Sequence, residues 1–228
     1  MTTKIIAACF SAAVALLSGA KGELITSASV LVSSTAADFN QFSSTTRFTS
    51  SPVPIGGPAG SDITVSSTNP DGSVLGPGPY NLGDNGVWDT QIRFVGLDVD
   101  LFGNDRYSLI FHFNDGPLTA VGLYLNYAVQ AGSGFGDVIM AALGPGDTVL
   151  ESYDLAQLAP ISTADASDQA AFRGIVRTSA DIQGLSLSNS AVAVQSFLVS
   201  SSVPEPGTLR LIALGALLGI AARIRKIY

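Results

Sequence analysis

Cysteine, histidine and tryptophan occur once each in this 228-residue chain, as Cys9, His112 and Trp88, and charged side chains make up only 13% of it. Each scarcity narrows what the protein does. Cys9 lies inside an N-terminal apolar run. Once that run is set aside, the body has no disulfide, no thiol nucleophile and no cysteine-based metal site. A single histidine supports a catalytic triad only beside an activated serine and a carboxylate, and no Gly-x-Ser-x-Gly elbow occurs. Strand alternation points His112 away from the apolar face of its segment, so it reads as a surface strand residue. The run Gly132-Ser133-Gly134-Phe135-Gly136 lacks the Lys-Ser/Thr ending of a phosphate loop and reads as a loop between strands. Charge of one sign is also short: 11 Lys and Arg stand against 18 Asp and Glu, a net charge of -7. Five of those basic residues, Lys4, Arg210, Arg223, Arg225 and Lys226, fall in the two terminal segments. The body is therefore more acidic than the whole, offers no basic stripe to phosphates, and is not expected to bind nucleic acid.

Hydrophobic residues make up 46%, and 24 Gly and 11 Pro supply many turns. Strand signals recur at 63–66, 92–97, 109–113, 120–127, 138–143, 149–155, 172–176, 182–188 and 192–199, the spacing of an antiparallel sandwich. In 109–113 the apolar positions Leu109, Phe111 and Phe113 alternate with polar ones, the period of a strand with one buried face. Turn chemistry at Asn114-Asp115-Gly116-Pro117 and Gly144-Pro145-Gly146-Asp147 separates neighbouring strands, the second as a hairpin. One or two further strands are expected within 25–48, loops dominate 51–86, and 164–171 suits a short helical turn. The expected fold class is all-β, an antiparallel sandwich in jelly-roll-like order, with a helix at each end of the chain outside the domain.

Those ends carry the clearest signals. Lys4 precedes an apolar run at 5–17, and Ser18-Gly19-Ala20 then places small residues where a signal peptidase reads them, so 1–20 is a signal peptide cleaved after Ala20. The run is too short to span a membrane comfortably. Residues 21–199 form one domain. Residues 200–228 comprise a Ser-rich linker, the peptide Val203-Pro204-Glu205-Pro206, an apolar stretch at 211–222 and the basic cluster Arg223, Arg225 and Lys226. Prolines on both sides of Glu205 prevent that peptide from continuing a helix or a central strand. Basic residues after an apolar segment hold the C-terminus in the cytoplasm, which puts the body on the far side, as the signal peptide does.

Pro-Glu-Pro, apolar helix and basic tail in this order resemble the PEP-CTERM sorting signal of bacterial exported proteins. The resemblance implies recognition and cutting by an exosortase near Glu205, in a Gram-negative host. Arg210 departs from the usual pattern by interrupting the apolar segment, and snorkelling to the interface accommodates it. Within the body, AVGLYLNYA at 120–128, VLESYD at 149–154, AFRGIV at 171–176 and the segment 191–196 resemble a β-rich ectodomain that precedes such tails. This likeness spans 76–200 and implies a fold and an export route.

The expected function is that of an exported, exosortase-processed protein of the cell surface or extracellular matrix, structural or interacting rather than enzymatic. It would be held transiently in the inner membrane. Its partners would be signal peptidase, exosortase, the membrane and an exopolysaccharide. Two alternatives come from other classes. A carbohydrate-binding module would use Tyr80, Trp88, Tyr107 and Tyr124 as a stacking platform if they gathered on one face, although in a chain with one Trp core packing or strand capping is the favoured use of such rings. A secreted hydrolase would need paired carboxylates, for which Glu151 is the interior glutamate. Asp71, Asp84, Asp98, Asp100 and Asp105, with neighbouring Asn85 and Asn104, are candidate oxygen ligands for Ca2+, although no EF-hand loop is present.

Overall fold

Alternation of buried and half-exposed side chains governs the local structure. In Ser108–Phe113 the odd-numbered Leu109, Phe111 and Phe113 are buried while Ile110 and His112 face outward. That two-residue period requires extended backbone, and it repeats along the chain. The computed structural model describes residues 21–31, 34–57, 62–89, 91–99, 106–129, 137–164 and 166–201. In chain order its strands are β1 (Gly22–Ile25), β2 (Thr35–Asp38), β3 (Thr46–Phe48), β4 (Val53–Pro54), β5 (Ile63–Ser67), β6 (Ser73–Pro77), β7 (Tyr80–Asn81) and β8 (Val87–Trp88). There follow β9 (Arg93–Leu97), β10 (Ser108–Phe113), β11 (Ala120–Tyr127), β12 (Ile139–Leu143), β13 (Val149–Asp154), β14 (Ala171–Arg177), β15 (Gly184–Ser188) and β16 (Val192–Ser200).

These strands form two antiparallel sheets and a two-stranded ribbon of β7 and β8. One sheet has the order β1-β14-β11-β16-β9-β6-β3, with β2 also on β16; the other has the order β13-β12-β15-β10-β5-β4. The sheets face each other across a single large core to which both contribute, a β-sandwich. At its centre Phe197 of β16 meets Phe111 of β10 edge-on, with ring centroids 4.6 Å apart, and Phe39 closes on Phe197 at 5.9 Å. All three rings are at most 1% exposed. Burying each is worth about 1.5–3 kcal/mol, with about 0.5–1.5 kcal/mol more for each edge-on pair.

One margin of the sandwich is closed by charge. Arg177 at the end of β14 is buried, with Nη1 2.6 Å from Oε1 of Glu151 on β13 and Nε 2.6 Å from Asp181. The Gly22 amide of β1 donates to the same Glu151 oxygen at 2.8 Å. Edge strands of the two sheets are thus tied through one carboxylate. Gly22 is required there, because a Cβ would sit 2.6 Å from the Glu151 side chain.

Where the structure departs from the sequence expectations, backbone chemistry explains it. Among the described residues of 164–171 none is helical; the short helix, α1 (Leu155–Leu158), lies earlier and is capped by the Asp154 side chain accepting from the Gln157 amide. The expected loop region 51–86 contains β4, β6 and β7. In β6, Gly76 adopts φ +115 and a Cβ would approach the Ser44 carbonyl to 2.4 Å, so this glycine permits close approach of the segment leading into β3 rather than a turn. The Gly144–Asp147 hairpin is as expected, with β12 and β13 paired through it and left-handed backbone at Gly146 and Asp147. The turn at Asn114–Pro117 instead passes the chain from one sheet to the other. The helices expected at the two ends of the chain fall outside the described residues, as does the segment 132–136. Among the described residues no helix is long and apolar enough to cross a membrane.

Replacing Phe197 by Ala is expected to cost about 3–5 kcal/mol, read as a lower denaturant midpoint at unchanged slope. Arg177→Met, which leaves two carboxylates facing each other without their cation, is expected to cost about 3 kcal/mol in the same measurement.

Candidate functional site

The aromatic residues proposed as a stacking platform do not share a face. Trp88 is fully buried and Tyr80 nearly so, in a satellite cluster where both rings pack edge-on against Phe94 at 5.6 and 5.0 Å. Trp88 Nε1 donates to the Gln169 carbonyl at 3.0 Å. Tyr124 packs on Phe172 in a different cluster, and Tyr107 lies against the main core. These rings do packing work.

Tyr80 also forms a wall of a cavity of about 290 Å³, with Arg47, Asn81 and Asp98 among its lining. Its hydroxyl donates to the Leu97 carbonyl, with the Val192 carbonyl at 3.4 Å. Burial, reinforced by the negative charge of Asp98, raises the phenol well above its usual value. At the rim, Arg47 Nη1 reaches Asp98 at 3.2 Å and the carbonyls of Asp71 and Gly72 at 3.5 and 3.3 Å. A guanidinium therefore occupies the Asp98 carboxylate and the Asp71 carbonyl, while Asp84 lies in the turn after β7 with its amide donating to the Val129 carbonyl. Asp100, Asp105 and Asn104 lie outside the described residues. Among the described residues no group of three His, Cys, Asp or Glu side chains is placed to hold a metal ion.

The remaining polar candidates hold structure together. His112 Nε2 lies 2.9 Å from Asp147, linking β10 to the β12–β13 hairpin at the surface. Glu151 is engaged by Arg177 and Gly22 as described above. Beneath the 155–170 segment, Asn85 and Asn126 form a buried amide pair at 3.1 Å. Asn85 donates to the carbonyls of Tyr127 and Ile161 and accepts from the Thr163 amide. Arg173, buried, donates to the carbonyls of Ala159 and Pro160 at 2.7 Å. This network pins a connection that contains only one helical turn.

Geometry at the ends of the domain bears most directly on function. β16 is hydrogen-bonded on both edges, to β11 on one side and to β9 and then β2 on the other. Its last residue, Ser200, is buried and its carbonyl accepts from both the amide and the hydroxyl of Thr119, at 3.0 and 3.1 Å. Only the exposed Ser201 follows before residue 202. Across this sheet Glu23, Val176, Ala120 and Ser200 lie opposite one another in a single row. Three strand spacings separate Glu23 from Ser200, about 14 Å. The start of β1 and the end of β16 therefore leave the domain at the same end. Ala20, Val203, Pro204, Glu205, Pro206, Arg223, Arg225 and Lys226 are themselves outside the described residues. Residues 202–226 match the family described as the PEP-CTERM protein-sorting motif.

The chain carries a PEP-CTERM sorting signal. A PEP-CTERM signal directs export through an exosortase, a route typical of Gram-negative bacteria. In this PEP-CTERM protein the signal begins two residues beyond a central, doubly paired strand. No characterised protein matches the chain by sequence. Among solved structures it is similar to the tandem CBM51 modules of a family 98 glycoside hydrolase from Streptococcus pneumoniae, at 13% identity and a TM-score of 0.31. That match covers 78% of this chain and 47% of the other, so the chain spans about half the length of that structure. It is also similar to the K2 cleaved adhesin domain of Lys-gingipain, at 12% identity and a TM-score of 0.27, over 79% of this chain and 99% of that one. Superpositions at this level leave the backbones well apart, and neither protein's ligand is carried over.

The raised phenol of Tyr80 sets an alkaline limit on stability. Its folded pKa lies above the unfolded value of about 10, so its contribution is complete below pH 10 and is lost as pH rises from there through the folded pKa. An absorbance titration of tyrosinate is expected to show Tyr80 ionising only together with the loss of β circular dichroism. Tyr80→Phe, at a cost of about 1 kcal/mol at neutral pH for the lost hydrogen bond, should flatten the alkaline decline.

Proposed function

We propose that the protein is made as a precursor tethered to the inner membrane at both ends. Signal peptidase cuts it after Ala20, and an exosortase cuts it beside Glu205. The body is then delivered to the cell surface or extracellular matrix as a non-enzymatic structural or interaction protein. The observation that carries this reading is the shared row of Glu23 and Ser200, by which the chain enters and leaves the domain at one end, next to a matched sorting motif. A domain whose ends emerged on opposite sides would have to straddle its tethers. This one stands on the membrane by one end, with Lys21 and Ser201 both facing the bilayer.

Charge in the tail fits that orientation. Arg223, Arg225 and Lys226 remain cytoplasmic after the apolar stretch, and Arg210 lies at the outer interface. A signal that starts two residues past β16 leaves little free linker, so the enzyme must work close to the base of the sandwich. The non-enzymatic part of the reading is supported by the use of Glu151, His112 and Arg173 in structural contacts. The two facing sheets are read as jelly-roll-like, a scaffold that serves many binding roles.

The test is the intact mass of the protein recovered from the envelope and medium of its native host. Two losses are expected, residues 1–20 and the segment beyond Pro204-Glu205-Pro206, and replacing those three residues with alanine should leave the tail in place. A tail removed equally well from the alanine variant would sink the proposal.

A further inference from the structure

The outer edge of β16 carries a notch that belongs to neither the core nor the tail. Along that edge β9 pairs with Val192–Val194 and β2 pairs with Ser196–Val199, leaving Gln195 opposite neither strand. On the other edge, Leu125 of β11 faces Val194 and Tyr124 faces Ser196, so Gln195 is again skipped. Gln195 is therefore a β-bulge residue without an opposing residue on either side. Val192, Val194, Phe197 and Val199 point inward, spaced two, three and two residues apart, and the slip turns Gln195 and Ser196 to the same half-exposed side. Bulges re-aim side chains in this way and recur next to binding sites.

Beside the bulge, where β2 and β9 diverge, is a cavity of about 380 Å³. Its polar lining consists of Asp38, Asn40, Gln91, Arg93, Gln195 and Ser196, and Phe39, part of the main core, lies beneath. Two of these groups are held in place. The Asp38 carboxylate accepts from the amide and side-chain nitrogens of Asn40 at 3.1 and 2.7 Å, and Arg93 Nε donates to the Phe42 carbonyl at 3.1 Å. The volume lies at the lower end of the range for small-molecule sites, roughly 300–1,000 Å³.

The chemistry of the lining selects among ligand classes. One carboxylate and one guanidinium cancel, so a phosphate would lack the converging cations it needs and a metal ion would lack converging carboxylates. Three amides, a hydroxyl, one carboxylate and one guanidinium supply donors and acceptors along the same lining. An uncharged ligand whose every hydroxyl both donates and accepts uses such a surface most fully. We propose that the Gln195 notch is a binding site for a neutral saccharide segment, gripped by hydrogen bonds from amide side chains rather than by aromatic stacking. This deepens the reading of an interaction protein at the cell surface, where polysaccharide is the abundant polyhydroxyl partner.

The experiment uses the full chain in detergent on an array of neutral gluco-, manno-, galacto- and N-acetylated oligosaccharides, with uronate-bearing ones printed alongside. Calorimetry then follows with the best neutral oligosaccharide. Binding to neutral members is expected, about tenfold weaker in Gln195→Ala and in Gln91→Ala, one hydrogen bond being lost in each. Arg47→Ala, at the separate Tyr80 cavity, should bind as the unaltered protein does. Gln91→Ala removes no bulge residue, so it carries the test if Gln195→Ala lowers the melting temperature. Silence on the array, binding confined to uronates, or affinity unchanged in both glutamine variants would overturn the proposal. Tail processing is read separately by mass, so absence of binding leaves the export reading standing, and failure of processing leaves this site standing.

Discussion

The contact of Phe197 with Phe111, flanked by Phe39, is the constraint on which the domain depends. Phe197 belongs to the strand that joins one half of its sheet to the other, and Phe111 lies on β10, between β5 and β15 in the facing sheet. Because β16 is paired along both edges, its side chains cannot shift without breaking ladders to β11, β9 and β2 together. The ring contact therefore fixes the position of one sheet over the other. The Arg177–Glu151–Asp181 cluster secures only a margin of the arrangement that this contact establishes.

Much of this was legible in the sequence where burial is one-sided. Leu109, Phe111 and Phe113 announce a strand by alternation, and Gly144-Pro145-Gly146-Asp147 announces its hairpin by turn chemistry. What escaped reading was controlled by tertiary approach. Gly76 and Pro77 resemble loop punctuation, yet they end a buried strand, because the close approach near Ser44 excludes a side chain. For Tyr80 and Trp88 core packing is the reading the sequence favours, and it holds, but only the packing of Phe94 shows which cluster they join. The sorting peptide was readable because Pro204, Glu205, Pro206 and the basic cluster act through local chemistry that needs no fold. The break in alternation at Gln195 was also visible in the order of residues 192–199, although its partners Asp38 and Arg93, from distant segments, could be gathered only by the sheet.

Two cavities flank the same sheet with different uses. One is walled by Tyr80, whose buried hydroxyl serves the backbone of β9 and β16. The other opens where β2 and β9 part, with polar groups held by local bonds and directed away from the core. A bulge within a doubly paired strand weakens the ladder at that point. The slip also turns Gln195 and Ser196 to the cavity side of the strand.

The position of β16 has a consequence for the order of events in export. A chain threaded through a secretion channel emerges N-terminus first, so β2 waits for a partner that lies near the far end of the sequence, with Asp38 opposite Ser196. β9 and β11 wait for the same strand. Until it emerges, the sheet remains in three pieces, β1-β14-β11, β9-β6-β3 and β2, without its central ring contact, and the long loop closure that joins them makes late, slow assembly the natural course. The sandwich can thus be completed only when the strand directly ahead of the sorting motif at 202–226 has emerged. Folding and arrival of the sorting motif become a single event, and no finished domain forms early to obstruct the channel.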